Sequence, residues 1–312
     1  MNRAARVGSS VLVAVLVIGL VVVCRTPFFT GAPLVHGAGL QRIVLYDVPY
    51  VPTHENTIEE MLRICEVSPH DIVYDLGCGD GRIVITAAKK FGARGVGIDI
   101  DPVRIAESRT NAAREGVEDK VRFVQQDLFQ ADFRQATVVT IYLLSGINLK
   151  LRPMLFEQLR PGTRLASHDF SMGEWEPDGV RHLGSDTIYY WIVPANASGT
   201  WKWKDPKSGQ EWVLRITQQF QAVKGSITQG RMRLPISEAR LSGDVLSFKV
   251  ERPGKDDLYF QAKVSGHNLA GTINTGEGKG QAEVAWAATR DPATVVPLES
   301  TQEREENKNK RI

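Results

Sequence analysis

The sequence predicts an α/β domain built on a parallel sheet, followed by a smaller all-β domain that forms an antiparallel sandwich or barrel. Its 312 residues and 42% hydrophobic content are enough for two domains. Short apolar runs alternate with helical patterns as far as residue 168, which is typical of parallel strands connected by helices. From about residue 196, runs of period two separated by turn signals replace that pattern. All six tryptophans lie after residue 170, so the composition changes together with the pattern.

The first 25 residues predict a transmembrane anchor. Arg3 and Arg6 precede an uncharged apolar run from Val7 to Cys24, and Arg25 closes it. The 18 residues of this run approach the ~20 that span a bilayer as a helix. A cleaved signal segment is the alternative, although its apolar region is usually only about 7 to 15 residues long and ends at a small-x-small site. By the positive-inside rule, the two arginines would hold the amino terminus in the cytoplasm and export the rest of the chain.

Residues 26–45 are rich in Pro, Gly and small residues and predict a linker, and the α/β domain is predicted over residues 46–195. Its first helix runs through Cys65, with Thr53 as the predicted N-cap. The elements predicted after it are a strand at 72–74, a helix at 82–91, a strand at 95–99, a helix at 103–115, strands at 121–125 and 137–143, a helix at 148–159 and a strand at 163–168. In such a sheet the carboxyl ends of the strands meet at one edge, where ligands bind.

A glycine-rich loop follows the first of these strands, in the sequence Asp75-Leu76-Gly77-Cys78-Gly79-Asp80-Gly81. Its three glycines, Gly77, Gly79 and Gly81, allow a sharp turn and a close approach of the backbone to a ligand. A dinucleotide fingerprint, G-x-G-x-x-G, would put its third glycine at position 82, which is Arg82 here. A carboxylate at Asp75 also suits a cationic ligand better than a pyrophosphate. The loop therefore favours S-adenosylmethionine (SAM), which carries an amine and a sulfonium.

A second acid, Asp99, ends the next strand, 24 residues after Asp75 and about where a ribose-binding carboxylate belongs. Each polar residue near the loop also has a structural alternative. Asp75 could cap the following turn, and Asp101, which precedes Pro102, is expected to cap the next helix. Arg82 could serve only to pair with a nearby acid.

These motifs resemble the class I SAM-dependent methyltransferases and, among them, the small membrane-anchored protein lysine methyltransferases. The matching segments are Pro49-Tyr50-Val51-Pro52-Thr53, Tyr74 to Arg82, Tyr142-Leu143-Leu144, Asn148 to Pro153 and Ser167-His168-Asp169-Phe170, and together they cover roughly residues 46 to 178. Known members modify the mitochondrial adenine nucleotide translocase and the ATP synthase c subunit. The resemblance implies a Rossmann-like class I methyltransferase sheet with SAM as its cofactor.

The resemblance also implies how SAM lies in the site. Its ribose hydroxyls would bind Asp99, its adenine would lie near Asp127, and its methionine end would lie near Asp75 and Gly77. Asp127 could instead be an ordinary loop acid. Thr53 lies in a segment that resembles the family's lid over the methionine, so it either contacts SAM or only caps its helix.

The methyl group would point towards the segment that follows the fourth strand. There, Tyr142-Leu143-Leu144 replaces the Asn-Pro-Pro-aromatic type of motif of many nucleic-acid methyltransferases. An aromatic and apolar wall suits a lysine, since its stem packs on apolar surface, its ammonium can lie over a ring, and burial lowers its pKa. We predict that Tyr142 and Asn148 line this channel. His168-Asp169 is not predicted to supply a base, because transfer to a neutral amine needs alignment and desolvation more than a strong base.

Charge and cysteine content exclude several other classes of protein. Residues 41–195 carry 17 Lys and Arg against 22 Asp and Glu, whereas residues 196–290 carry 14 against 9. Neither part is basic enough to predict nucleic-acid binding. The three cysteines are too few and too irregularly spaced for a metal site or a disulfide framework. Cys65 and Cys78 are expected to be packed small residues, so no metal and no catalytic thiol is predicted.

The predicted β domain covers residues 196–290, and residues 291–312 are predicted to form a disordered tail. The strands predicted within the β domain lie at 199–204, 211–219, 221–226, 245–250, 258–264 and 282–288. The tryptophans expected to belong to a core rather than to a ligand wall are Trp191, Trp201, Trp203 and Trp212.

The sequence as a whole predicts a membrane-tethered protein lysine methyltransferase that acts on a membrane-associated protein. A methyltransferase for a small or lipid-like molecule, with the β domain as a carrier, is the second interpretation, and a non-catalytic SAM-binding scaffold is the third. The membrane orientation is left open. The arginines before the apolar run favour export, whereas SAM is kept inside cells, so the catalytic domain is expected on the side that contains SAM.

Overall fold

The structure is a computed structural model and describes residues 50–205, 208–275 and 283–298. The predicted anchor, the linker and residues 299–312 of the predicted tail lie outside these residues. Within the described ranges, no helix has both the length and the apolar character needed to cross a membrane. The described residues form one compact unit that contains two sheets.

The first sheet has seven strands in the order β3-β2-β1-β4-β5-β7-β6. Pairs within β1 to β5 are parallel, whereas β7 runs antiparallel to β5 and β6 runs antiparallel to β7. The strands are β1 (Ile72–Leu76), β2 (Arg94–Asp99), β3 (Val121–Gln125), β4 (Val138–Ile141), β5 (Arg164–His168), β6 (Gly179–Leu183) and β7 (Asp186–Ile192). The helices are α1 (Glu55–Ile64), α2 (Arg82–Phe91), α3 (Pro102–Glu115) and α4 (Ser145–Gln158).

The predicted alternation of strands and helices is confirmed, with two differences. Strands β6 and β7 were not predicted, because β6 is largely exposed at the sheet edge and has no apolar run. Helix α4 begins at Ser145, three residues before the predicted start. Strand β7 contributes to the site. Because it runs antiparallel to β5, its amino end, Asp186, lies at the edge where the parallel strands have their carboxyl ends.

The second sheet has nine antiparallel strands in the order β11-β10-β9-β8-β16-β15-β14-β13-β12. Its two outer strands, β11 and β12, follow each other in the chain, and Ile236 N between them donates to Gly225 O on β10, so the sheet curls into a nearly closed barrel. The strands are β8 (Gly199–Lys204), β9 (Glu211–Gln219), β10 (Ala222–Gln229), β11 (Met232–Pro235), β12 (Ser237–Ser242), β13 (Val245–Val250), β14 (Leu258–Ser265), β15 (Asn268–Thr275) and β16 (Val284–Arg290). The predicted fold class, a Rossmann-like sheet followed by a smaller all-β part, is therefore confirmed.

Large aromatic side chains fill the interior of this barrel. The Trp203 ring contacts the rings of Trp212 and Trp286 at centroid distances of 5.6 and 4.9 Å, and Phe260 meets Trp286 edge to face. The interpretation of Trp201, Trp203 and Trp212 as core residues is confirmed, since all three are buried here. Trp191 is buried too, in the core of the first sheet.

The prediction of a disordered tail is wrong for residues 291–298. Asp291 caps a short 3₁₀ turn, Pro292–Thr294, by accepting from Ala293 N. Beyond it, Val296 N donates to Ser198 Oγ at 3.0 Å. This segment is ordered by hydrogen bonds to Ser198 and Thr200 at the start of β8, which a composition argument does not detect.

Arg164, at the start of β5, connects three parts of the first sheet. Its guanidinium donates to the carbonyls of Cys65 and Glu66 and forms an ion pair with the buried Asp71. Removal of the guanidinium would leave the Asp71 carboxylate and two carbonyl oxygens without this donor.

We expect Arg164→Ala to lower the free energy of unfolding by about 1–3 kcal/mol, discounted for the partial exposure of the arginine. Urea denaturation of the full-length protein measures the change. Arg160→Ala removes an exposed arginine between α4 and β5. Its free energy of unfolding should stay within about 0.5 kcal/mol of the wild-type value. Equal midpoints for the two variants would contradict the prediction.

Candidate functional site

The glycine loop joins β1 to α2 at the carboxyl edge of the parallel sheet. Gly77, Gly79 and Gly81 all have positive φ angles, of 84°, 53° and 80°. At Gly81 a side chain would also clash, since an added Cβ would lie 2.6 Å from the Phe123 ring. Gly77 N donates to Ile98 O at 2.8 Å, which fixes the loop to β2. The loop thus has the sharp glycine turn that the sequence predicted.

Asp75 lies below this loop and is almost completely buried. Its carboxyl oxygen accepts a 2.7 Å hydrogen bond from Thr140 Oγ1 on β4. Burial raises the pKa of Asp75 to about 7, and the nearby Asp99 and Asp80 charges act in the same direction. The suggested role of Asp75 as a turn cap is not seen, because its hydrogen bond goes to the neighbouring strand. A buried carboxyl with an elevated pKa fits a site that receives a cation.

Asp99 ends β2 and faces the loop. Its Oδ2 accepts from Gly79 N at 2.8 Å, and its Oδ1 accepts from Asp101 N at 2.9 Å. The next acid, Asp101, caps α3 by accepting from Val103 N, so its predicted capping role is confirmed. Asp99 therefore holds the turn of the loop in place and keeps its carboxylate at the sheet edge.

Asp127 follows β3 at the same edge. Its side chain accepts from Phe129 N at 2.9 Å and caps a 3₁₀ turn, Leu128–Gln130. The preceding residue, Gln126, donates its N–H to Asp99 O. The structure thus brings Asp75, Asp99 and Asp127 to the ends of three adjacent strands, while the contact of Asp127 with adenine stays a prediction.

Arg82 pairs with Asp80, which is the structural role that was the alternative to cofactor binding. Its Nη2 and Nε donate to Asp80 at 2.8 and 2.9 Å, and its Nη1 donates to Thr53 O at 3.0 Å. These contacts attach the segment before α1 to the loop. In that segment the Tyr50 ring lies against Gly79 and under the guanidinium of Arg104, so it partly covers the loop.

The prediction that Thr53 caps the first helix is wrong. Helix α1 begins at Glu55 with His54 as its N-cap residue, and His54 makes no side-chain cap bond. Thr53 is buried instead, and its Oγ1 lies 3.2 Å from His168 Nδ1. Its hydroxyl contacts the imidazole and not the helix end, because a buried imidazole at the end of β5 needs a polar partner.

Tyr142 and Leu143 follow β4 at the same edge of the sheet as the loop. A Cβ added at Gly77 would lie 2.9 Å from Leu143 Cδ2, so Leu143 packs on the loop. The Tyr142 ring lies 3.9 Å from the His168 ring between centroids and 6.1 Å from that of Phe170. Burial raises the pKa of Tyr142, and Asp169 and Asp186 add to this, so its hydroxyl stays protonated. Tyr142 thus forms an aromatic wall beside the loop.

Asn148 is fully buried in α4 and contacts the segment after β5. Its Nδ2 donates to Phe170 O at 3.1 Å and to Ser167 Oγ at 3.3 Å. In the described part of the chain its buried Oδ1 has no hydrogen-bond partner. The structure therefore places Asn148 behind the aromatic wall, where it holds the backbone that carries Phe170.

Asp186 was not predicted from the sequence, and His168-Asp169 was not predicted to supply a base. Asp186 Oδ2 lies 3.4 Å from His168 Nε2, and Asp169 Oδ2 lies 3.5 Å from the same atom. No motif could have indicated Asp186, because it reaches the site only through the antiparallel pairing of β7 with β5.

The two described cysteines are buried free thiols. Burial raises the pKa of Cys65 to about 12, and it raises the pKa of Cys78 still further. Both are neutral and packed, which confirms the expectation from the sequence.

Comparisons with known proteins agree with this geometry. The family described as the ANTKMT methyltransferase domain matches residues 75–179. A protein-lysine N-methyltransferase of Saccharolobus islandicus (strain REY15A) is 44% identical over 151 residues, which cover 47% of this chain and 94% of that protein. The Homo sapiens lysine N-methyltransferase named for the ATP synthase c subunit is 35% identical over 164 residues, 53% of this chain and 65% of that protein. An RNA methyltransferase from Salinibacter ruber, crystallised with S-adenosyl-L-homocysteine, is 56% identical over 46% of this chain and 93% of that chain, with a TM-score of 0.45. The family match and the two lysine methyltransferase relatives confirm the predicted family and, with it, SAM as the cofactor.

The elevated pKa of Asp75 predicts a pH-dependent stability in the absence of SAM. The folded state holds this proton up to about pH 7, whereas the unfolded chain releases it near pH 4. The wild type therefore loses stability as the pH rises through that window, and Asp75→Asn, which stays neutral, does not. From pH 5 to pH 8 we expect the free energy of unfolding of the variant to rise by about 2 kcal/mol relative to that of the wild type.

Urea denaturation at both pH values measures this gain. Asp132→Asn, which removes a largely exposed carboxylate, should give the same difference from the wild type at both pH values. A pH-independent difference for Asp75→Asn would contradict the assigned pKa.

Proposed function

We propose that this chain, which belongs to the family of SAM-dependent protein-lysine methyltransferases, transfers a methyl group to the side-chain amine of a lysine in a protein. The observation that carries the proposal is the contact of Leu143 with the cofactor loop, one residue after the aromatic wall. Leu143 packs on Gly77, and the next residue back, Tyr142, presents its ring beside the same edge. An acceptor that lies on Tyr142 therefore lies next to the methionine side of the loop.

The residues at the edge fit SAM by their chemistry. Bound SAM supplies an electrophilic methyl group on a sulfonium. Asp99 would accept from the ribose hydroxyls, Asp127 would lie near the adenine, and the buried Asp75 would favour the cationic methionine end. Gly77, Gly79 and Gly81 let the backbone approach the cofactor, and the segment containing Thr53 covers it. Two positive charges on the ligand suit an edge that carries several carboxylates and few cations.

Tyr142 would act on the acceptor rather than on SAM. Its ring gives the lysine stem an apolar surface and gives the ammonium a π face. Burial beside the ring lowers the pKa of the amine, so that the neutral nucleophile is populated. Asn148 supports this wall from behind, through its bond to Phe170 O.

We further propose that the acceptor is a membrane-associated protein and that the chain has a single N-terminal membrane span. The support is the uncharged run from Val7 to Cys24 and the resemblance to membrane-anchored lysine methyltransferases. The site is expected on the side that contains SAM, although Arg3 and Arg6 favour the opposite orientation. The barrel interior, filled by Trp203, Trp212 and their neighbours, gives little support to the alternative of a small-molecule or lipid methyltransferase with a carrier domain.

Calorimetric titration of SAM into the full-length protein tests the cofactor site. We expect Asp99→Asn to raise the dissociation constant tenfold or more, which is about 1.4 kcal/mol, because the ribose loses a charged acceptor. The amide oxygen can still accept from Gly79 N, so the loop should survive. Asp119→Asn removes an exposed acid between α3 and β3 and should leave the SAM dissociation constant unchanged. The absence of SAM binding by a folded wild type would overturn the proposed methyltransferase function.

Transfer of tritium from methyl-labelled SAM to a membrane protein fraction tests the acceptor. We expect methyllysine in the hydrolysed product and an initial rate at least tenfold lower for Tyr142→Ala, because the lysine loses its aromatic wall. Tyr142→Phe keeps the ring and should retain most of the rate. An unchanged rate in Tyr142→Ala would exclude Tyr142 from the channel, and labelled lipid without methyllysine would favour the small-molecule alternative.

A further inference from the structure

Three polar side chains meet next to Tyr142 at the carboxyl edge of the sheet. His168 ends β5, Asp169 follows it, and Asp186 begins β7, which pairs with β5 so that His168 lies opposite Ile188. Asp169 has a positive φ of 58°, which is unusual for a residue other than glycine. This strained backbone turns a carboxylate towards the imidazole.

Each carboxylate is anchored and still faces His168. Asp169 Oδ1 accepts from Thr187 N at 2.8 Å, while its Oδ2 lies 3.5 Å from His168 Nε2. Asp186 Oδ2 accepts from Thr57 Oγ1 at 2.7 Å and lies 3.4 Å from the same nitrogen. The cluster is therefore held from α1, β5 and β7.

Two features of this cluster point to a ligand. His168 is 3% exposed, and its Nε2 forms no hydrogen bond of good geometry with any described residue. Within the same described ranges, neither Asp169 nor Asp186 forms an ion pair with a lysine or an arginine. Two carboxylates with a neutral imidazole between them carry excess negative charge that a bound cation would balance.

We propose that Asp169, Asp186 and His168 form the subsite that receives the ammonium of the substrate lysine and takes up its proton. The inference rests on the proposed lysine methylation and assigns residues to it. A lysine ammonium has three N–H donors, and the cluster offers two carboxylates together with the Tyr142 ring face. The position beside Tyr142 and Leu143 favours a substrate amine over a metal ion, because that is where the methyl acceptor must lie.

The proton transfer can be written with its charges balanced. One N–H bond of the ammonium breaks, its electron pair stays on nitrogen as the nucleophilic lone pair, and the proton passes to His168 Nε2. This step requires the neutral tautomer in which His168 Nδ1–H donates to Thr53 Oγ1. The two carboxylates that held the ammonium then hold the imidazolium, so one positive charge remains between them. The proton leaves to water after the methylated product has dissociated. This assigns His168 a role that the sequence analysis did not give it.

The surroundings of His168 make it a reversible proton acceptor. Burial lowers its pKa, while the charges of Asp169 and Asp186 oppose that shift, and His54 lowers it further. Tyr142, the remaining titratable group against its ring, stays neutral. His168 is therefore neutral near pH 7 and ready to accept a proton from an amine that binds beside it.

Four variants of the full-length protein test this subsite: Asp169→Asn, Asp186→Asn, His168→Gln and, as a control at an exposed acid, Asp132→Asn. The readouts are the SAM dissociation constant, the rate of tritium transfer to the membrane fraction between pH 6 and pH 10, and inhibition by n-butylammonium chloride. The alcohol 1-butanol serves as the uncharged inhibitor of equal chain length.

We expect the first three variants to bind SAM within twofold of the wild type. In the two Asp→Asn variants the inhibition constant of n-butylammonium should rise fivefold or more, because the cation loses a carboxylate. His168→Gln should lower the rate tenfold or more at pH 7.5, with recovery towards pH 10, where free lysine amines with a pKa of about 10.4 begin to lose their proton unaided. A purely structural role would not produce this pH rescue, and Asp132→Asn should match the wild type in every readout.

Unchanged inhibition in both Asp→Asn variants, or an unchanged pH profile in His168→Gln, would overturn the subsite. If a variant fails to fold, equal inhibition of the wild type by n-butylammonium and 1-butanol would overturn it as well. Stoichiometric Mn²⁺ or Zn²⁺ binding with loss of activity in EDTA would replace it by a metal site. A wild type that binds SAM but methylates no lysine would overturn the proposed function itself, whereas normal wild-type transfer with unaltered variants overturns the subsite alone.

Discussion

An excess of negative charge at the carboxyl edge of the parallel sheet is the constraint on which the rest of the site depends. Asp75, Asp99 and Asp127 end three strands there, and Asp186 joins them from β7. Concentrated carboxylates are unfavourable unless they are hydrogen-bonded or matched by cations. The protein meets the first need with Thr140, backbone N–H groups and Thr57. SAM and a substrate lysine would meet the second.

The sequence predicted the part of this edge that local chain geometry determines. The spacing from Asp75 to Gly81 and the position of Asp99 after the second apolar run follow from the strand-turn-helix pattern, so they could be read without tertiary information. Thr53 was assigned wrongly, because a residue just before a helix resembles a cap until a distant partner, His168, is known. Capping is a local preference, and a buried imidazole overrides it here.

Asp186 and Asn148 mark the limit of prediction from one sequence. Asp186 lies in a polar hairpin, and only the antiparallel register of β7 brings it to the active edge. Asn148 was predicted to line the acceptor channel beside Tyr142, but it is fully buried and its hydrogen bonds go to Ser167 Oγ and to the backbone carbonyl of Phe170. The direction of a side chain from a helix that contains a proline, Pro153, depends on packing that periodicity does not specify.

The chemistry of the reaction explains why the edge needs acids of different kinds. A sulfonium and an ammonium repel each other, so a site for both must be negative, yet the amine has to lose its proton before it can attack. A strong, isolated carboxylate would hold the ammonium and slow that loss. Asp75 is buried and its pKa is raised, so it would take up its full charge only when a cation lies beside it. Asp169 and Asp186 share a neutral imidazole, which can receive the proton while the carboxylates keep their charge. The proposed arrangement would bind two cations and still release one proton, a combination that a single carboxylate cannot provide.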